Sequence, residues 1–242
     1  MNIPFDLSWK KVAVSVSGGA DSALLAYLLC SQIQAATEVH IISHIRCWKT
    51  KPWQEHDAQN VYSFLQNRFP KIVFFKHVNF ISPELEHAVS GEIILDEYGN
   101  VVSGDTLEQR AFAEYVCTKH NIDAYYNGIT KNPECLEQHG LPKRNITKTA
   151  DNQHLEYTTH MGKVACHPFR FITKVEIIKE YYRLGITDLL SLTRSCEGDR
   201  YSYPEKFREL DYKTYRPGQQ VPECGECFWC KERKWAIEKA TN

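Results

Sequence analysis

The sequence predicts an α/β protein: a parallel β-sheet with helices on both faces, followed by a small helical element built on cysteines. Three observations carry this reading. Val12-Ala13-Val14-Ser15-Val16 alternates valine with small residues, as a central strand does when helices pack closely on it. Ala23 to Leu29 is an unbroken run of apolar, helix-forming residues, which reads as a buried first helix. Near the other end, Cys224-Gly-Glu-Cys227-Phe-Trp-Cys230 spaces three thiols for one metal centre.

Between the first strand and the first helix lies Ser17-Gly18-Gly19-Ala20-Asp21-Ser22. Two glycines let the backbone take positive φ and approach a ligand closely. Free N–H groups backed by the positive end of a helix suit an anion, phosphate above all. A Walker A loop would need Gly-x-x-x-x-Gly-Lys with Ser or Thr, and a dinucleotide fingerprint Gly-x-Gly-x-x-Gly; neither is present. The plainer alternative is a Gly-Gly turn in which Asp21 or Ser22 caps a helix. The six residues in this order behind a hydrophobic strand resemble the PP-loop of the ATP pyrophosphatase superfamily. That resemblance implies a Rossmann-like (HUP/PP-loop) sheet in which the loop holds the β,γ-pyrophosphate of ATP while the α-phosphate is attacked.

A chain of 242 residues buries a substantial core. Its net charge of −1 generates no global field for nucleic acid or membrane. Met1 to Lys11 lacks the apolar run of a signal peptide, and no stretch is long enough to cross a bilayer, so a cytoplasmic location is expected. Nine cysteines, an odd number clustered late, argue for metal over a secreted disulfide framework.

Taken in order, Glu38 to Ile45 reads as strand two, with Arg46, Cys47, Trp48 and Lys49 at the end where adenine and ribose lie in such folds. His40 and His44 share one strand face and read as packing or solvent-facing residues. Pro52 to Phe69 is helical by the spacing of Val61, Phe64, Leu65 and Phe69, and Lys71 to Val78 is a third strand. Glu92 to Val102 suggests a hairpin, Thr106 to His120 a helix, and Asp123 to Asn127 a short strand ending at Gly128. Residues 131–163 have no clear period and read as a loop insertion or a substrate lid. A further helix follows Pro168, capped by Thr173 and striped by Val175, Ile178, Tyr181 and Tyr182. Lys174 stands in its first turn, against the macrodipole preference; it is either solvated or answers a bound phosphate.

Three closely spaced cysteines leave a structural zinc one ligand short. Cys196 is the expected fourth, with Cys166 or His167 behind it. An iron–sulfur cluster also accepts four thiolates. Zinc is the reading adopted, with a structural role in holding the C-terminal helix to the core.

An N-terminal PP-loop with a C-terminal Cys-x2-Cys-x2-Cys knuckle resembles the 7-cyano-7-deazaguanine synthase family. Thr173-Lys174-Val175-Glu176-Ile177-Ile178 looks like that family's Lys-x-Glu helix. Leu192-Thr193-Arg194-Ser195-Cys196 is similar to its Thr-Trp-Ser-Cys, which carries the first zinc cysteine; Cys224, Cys227 and Cys230 match the others. The gap from Gly198 to Val221 is far longer than the family's, and Ser103-Gly104-Asp105-Thr106 and Asn132-Pro133-Glu134-Cys135 depart from its substrate-reading elements. The resemblance therefore implies retained ATP chemistry with a rebuilt substrate pocket. It assigns Ser15, Ser17, Gly18, Gly19, Ala20, Asp21 and Ser22 to the nucleotide, with Ser17, Asp21, Ser22 and Lys174 in catalysis. It implies Mg²⁺, a structural Zn²⁺ on Cys196, Cys224, Cys227 and Cys230, and two units, an ATP-binding domain over 1–190 and a zinc-binding subdomain over 191–242. The implied partners are a deazapurine-like acid, ammonia or another amine, and a second copy of the chain, without membrane or nucleic acid. A PP-loop sulfur transferase acting on tRNA and a non-catalytic ATP-binding paralogue stand as the alternatives.

Overall fold

The computed structural model describes residues 1, 3–33, 37–46, 53–81, 94–95, 101–102, 104–131, 133, 156–158, 164–196 and 222–241. The order is β1 (Lys11–Ser15), α1 (Ala20–Gln32), β2 (Glu38–Arg46), α2 (Gln54–Arg68) and β3 (Val73–Ile81). A two-stranded hairpin of β4 (Ile94–Leu95) and β5 (Val101–Val102) follows. Then come α3 (Gly104–Lys119), β6 (Ala124–Tyr126), β7 (Glu156–Thr158) and β8 (Val164–Cys166). The last elements are α4 (Lys174–Leu184), α5 (Thr187–Ser191) and α6 (Phe228–Thr241).

The main sheet has the order β3-β2-β1-β6-β8-β7. Five strands run parallel and only β7 is antiparallel, paired with β8. Chain order climbs from β1 through β2 to β3 on one side and resumes with β6 on the other. The direction of winding therefore reverses between β1 and β6, and the crevice outside their carboxyl ends is where such sheets bind ligands.

Both faces are covered, as the alternation of β1 requires. Val12 and Val14 face a core shared with α1, α2, α4, α5 and Ala236 of α6. Ala13, on the opposite face, packs with Ile42 and with Ala113, Val116 and Cys117 of α3. Helix α1 is buried nearly all round, with Leu24, Leu25 and Leu29 fully covered. Each such leucine contributes about 1.5–3 kcal/mol by burial, so packing, not capping, holds α1. His40 and His44 are both buried, in agreement with a packing role; His40 Nδ1 lies 2.9 Å from His77 Nε2.

Two expectations change. Strand β3 extends to Ile81 because β2 offers a matched parallel partner as far as Arg46. The aperiodic stretch 131–163 contributes a strand, Glu156–Thr158, which pairs with β8 through Tyr157↔Ala165. A three-residue strand has too few alternations to show a period; its pairing partner defines it. The lid reading falls largely on 134–155 and 159–163, which lie outside the described residues, as do Cys47, Trp48, Lys49, Ser103, Asn132, Glu134, Cys135 and 197–221. Among the described residues no helix is long and apolar enough to cross a membrane.

Helix α4 carries Glu180, whose side chain is only 7% exposed. Arg183 donates to both of its oxygens at 2.7 and 2.6 Å, and the Met1 amine lies 2.5 Å from Oε1. These partners, Arg183 foremost, hold the carboxyl down at about 2 against an ordinary 4.5. A depressed acid contributes stability above its unfolded value and loses it as pH falls through the folded one. Replacing Glu180 by Gln should lower unfolding free energy by a constant amount above pH 4.5, with the deficit shrinking toward about 2. Urea titrations of both proteins across that range measure it; a deficit undiminished in acid would assign the effect to packing.

Candidate functional site

The loop after β1 is where this fold and this sequence converge. Val16 continues the pairing, donating to Ile42 O at 2.8 Å while its own carbonyl accepts from the Ser43 hydroxyl at 2.9 Å. The chain then turns through Gly18 at φ +81°, a left-handed value that L side chains resist. Gly19 is the N-cap of α1 and has no side chain to occupy the first-turn N–H groups. Those amides stay available, with the positive end of a helix behind them.

Side chains fold the loop back on itself. The Ser22 hydroxyl donates to Gly19 O at 3.1 Å, accepts from the Ser17 N–H at 3.2 Å, and lies 3.2 Å from Ser17 Oγ. Ser22 thus has a shaping role visible in the geometry itself. Tyr181 of α4 donates to Ala20 O at 2.7 Å, fixing the first turn from below.

Lys174 is 4% exposed, which rules out the solvated alternative. Its ammonium contacts Asp21 Oδ2 in an ion pair across the start of α1 and the start of α4. Glu176 completes a capping box, accepting from the Thr173 N–H at 2.7 Å and its hydroxyl at 2.9 Å, which holds Lys174 in the first turn. The other Asp21 oxygen, Oδ1, is buried and has no hydrogen-bond partner.

These groups line one cleft. Ser15, Ser17, Gly19, Ala20, Asp21 and Ser22 form its floor, and Lys174 one side. Asn127 and Gly128 close it from the end of β6, where a Gly128 Cβ would come within 3.2 Å of Ser22 N. Gln109 of α3, Trp53, Gln54 and Asp57 around the start of α2, and Trp229 of α6 complete the walls with Arg194, Ser195 and Cys196.

The cysteine centre adjoins this cleft. Cys196, Cys224, Cys227 and Cys230 bring their sulfurs within 4.8 Å of one another, with Cys224 and Cys230 Sγ 3.9 Å apart. Cys196 is thereby brought to the other three, whereas Cys166 is in β8 within the main core. Hydrogen bonding to Cys196 and Cys227, with burial, pushes the Cys230 thiol upward. Trp53 packs against Cys196 and Cys230. Its ring carries the Arg194 guanidinium 3.8 Å from the centroid, and the Arg194 N–H donates to Gly18 O at 3.0 Å. Arg233 of α6 secures the same segment through Leu190 O, Thr193 O and Thr193 Oγ1, each at 3.0 Å. One short strap therefore delivers both a cysteine and a backbone contact to the loop.

Sequence reading did not find Trp53, Asp57, Arg194 or Arg233 as site residues. Trp53 precedes and Asp57 opens a helix whose apolar stripe faces elsewhere, so nothing in its period singles them out. Arg194 carried a weak signal, as the residue standing where the resembled family has tryptophan.

No family model matches the sequence, and no curated protein matches it. Solved structures do. The chain is similar to a 4-thiouridine synthetase in an RNA complex with bound ATP, at 14% identity and TM-score 0.49, over 96% of this chain and 54% of that one. It is similar to the U34-tRNA thiolase NcsA of Methanococcus maripaludis with its [4Fe-4S] cluster, at 16% identity and TM-score 0.46, over 86% of this chain. The chain spans 65% of that thiolase's length. It is also similar to an NH3-dependent NAD synthetase of Campylobacter jejuni, at 14% identity and TM-score 0.44, over 97% of this chain and 86% of that one.

A Cβ on Gly18 would lie 2.7 Å from Asp57 Cβ and 2.8 Å from Ala58 N, whereas one on Gly185, also at positive φ, would meet nothing within 4 Å. Gly185→Ala should therefore cost about 1–2 kcal/mol of unfolding free energy from backbone strain alone. Gly18→Ala should cost clearly more, since α2 must shift as well. Denaturant unfolding of the two variants side by side tests this, and equal losses would remove the close approach from the account.

Proposed function

We propose that this chain is an ATP-dependent adenylating enzyme of the PP-loop type, forming AMP and pyrophosphate. The observation that carries the reading is the loop Ser17–Ser22: a Gly18 at φ +81°, uncapped first-turn amides of α1, and a position at the reversal of strand order. Ser15, Ser17, Gly18, Gly19, Ala20, Asp21 and Ser22 would hold the outer phosphates, with Lys174 beside them.

In this reading an acceptor oxygen attacks the α-phosphorus, the bond from Pα to the bridging oxygen of Pβ breaks, and pyrophosphate leaves. The loop amides and Lys174 stabilise the charge that gathers on that leaving group, a contribution that comes from dipoles already in place. The adenylated acceptor then meets ammonia or another amine, and AMP departs as the new bond to nitrogen forms. Asp21 fits a Mg²⁺ ligand: Oδ1 is buried without a hydrogen-bond partner while Oδ2 is held by Lys174. When bound, Mg²⁺ supplies charge neutralisation for the departing phosphates.

The acceptor we infer is a planar 7-deazaguanine-type acid, by the family resemblance of the two motifs. Trp229 beside the amides of Gln109 and Asn127 supports it, since a flat heterocycle needs both an aromatic wall and hydrogen-bonding edges. For the cysteines we infer a single Zn²⁺. Bonds of about 2.3 Å in a tetrahedron set sulfurs about 3.8 Å apart. The 3.9 Å between Cys224 and Cys230, with all four sulfurs within 4.8 Å of one another, supports one shared ion over a [4Fe–4S] cluster, in which each thiolate would hold its own iron and the sulfurs would stand wider.

The test is product analysis after incubation with Mg-ATP, ammonium and 7-carboxy-7-deazaguanine. AMP with a new amide or nitrile is the expected outcome; ATP left uncleaved with every acid and amide tried refutes the adenylation reading. Asp21→Ala should lower AMP formation by about 10²-fold or more, the scale on which preorganised transition-state groups act. Elemental analysis should return one zinc per chain; iron with acid-labile sulfide would overturn the zinc assignment and favour sulfur transfer.

A further inference from the structure

Asp57 is a carboxyl that nothing above employs. It stands in the first turn of α2, with its N–H bonded to Trp53 O at 3.0 Å, and it lines the same cleft as Ser17 and Gly19. A Cβ on Gly18 would lie 2.7 Å from its Cβ, so the root of the Asp57 side chain abuts the apex of the loop. Oδ2 is buried and has no hydrogen-bond partner.

Among the described residues, Asp21, Arg194 and Arg233 near it are engaged elsewhere. Asp21 is paired with Lys174 across the cleft floor. Arg194 lies over Trp53 and donates to Pro222 O at 2.9 Å, and Arg233 is committed to the strap. Leaving a buried polar oxygen unsatisfied is unfavourable, so the fold holds this one at a loss until something else bonds it. The ligand best suited to the adjacent amides is an anion of the phosphate class. An ionised Asp57 would repel such a ligand, whereas a neutral carboxylic acid presents an O–H that donates to it.

We propose that Asp57 is a further phosphate-binding residue: its carboxyl, as the neutral acid, donates a hydrogen bond to the outer phosphates docked on the Gly18–Gly19 loop. The inference rests on the phosphate-site reading of that loop. It deepens that reading by adding a donor that no glycine-loop pattern contains.

The charge balance around Asp57 agrees. Burial is the main influence and pushes the carboxyl up to about 7; Arg194 and Arg233 pull it down and Glu223 pushes it up. A phosphate arriving beside it adds negative charge and raises it further. Proton uptake therefore accompanies binding. Because the value is higher in the bound state, the uptake favours binding at low pH, and affinity declines as pH climbs above the free value of about 7.

The experiment is calorimetric titration of the full chain with Mg-ATP in two buffers of different ionisation enthalpy, between about pH 7.5 and 8.5, where the linkage for a free value near 7 is strongest. The isosteric Asp57→Asn variant is run alongside, and its thermal melt is recorded. Subtracting the Asp57→Asn proton count cancels any proton taken up by the nucleotide itself. Wild type should absorb at least about half a proton more than Asp57→Asn does, and its Kd should rise by up to about tenfold per pH unit while that of Asp57→Asn stays nearly level. If both proteins bind Mg-ATP with the same proton count, or wild type binds it with none, the Asp57 assignment is wrong and the loop reading survives. Should wild type bind neither Mg-ATP nor pyrophosphate, the loop reading itself fails and Asp57 with it. A wild-type titration that absorbs no proton overturns the assignment by itself, so a poorly folded Asp57→Asn does not spare the proposal.

Discussion

The backbone at Gly18 is pressed on two sides, and the candidate site is arranged around that contact. On one side stand Asp57 and Ala58 of α2, at distances that leave no room for a Cβ. On the other, the Arg194 N–H holds the Gly18 carbonyl. A loop clamped in this way keeps its amides aimed without a ligand present, which is what preorganisation requires. The left-handed φ and the absent side chain are two demands on one residue, and glycine is the only residue that meets both.

From that contact the arrangement spreads outward in two directions. Through Arg194 it reaches Trp53 and the four sulfurs, and through Arg233 it reaches α6. Metal binding to a cysteine set supplies free energy to the fold that carries it. Here that energy would order the strap that touches the loop, so a metal on the four cysteines would bear on the proposed phosphate site by position alone. Through Ala20 and Tyr181 the arrangement reaches α4, where the capping box holds Lys174 against Asp21. Burying that ion pair costs desolvation, which would suit the proposed reading, in which a charged ligand and its metal share the two groups.

Much of the fold was legible because its signals are local. The alternation of β1, the apolar run of α1 and the capping residues of α4 sit within a few residues of one another and map directly onto those elements. Strand β7 was not legible, since its three residues acquire meaning only from pairing with β8. The far end of β3 was missed for the same reason: its continuation depends on β2, distant in sequence. In the site, the loop and the three late cysteines were visible as spacing. Asp57 and Trp53 were not, because they reach the cleft from a helix whose pattern records only the core-facing side.

What the sequence determined by itself was chemistry carried on contiguous residues: a glycine turn ahead of a helix, and thiols at the spacing one ion demands. What tertiary structure alone decided was who stands beside them. Lys174 as a buried partner of Asp21, Trp53 packed on Cys196 beside the cleft, and a carboxyl pressed against Gly18 all bring together groups from distant parts of the chain. Periodicity and spacing encode neighbours along one element. Packing between elements depends on the closing of the whole sheet, and no short window of residues contains it.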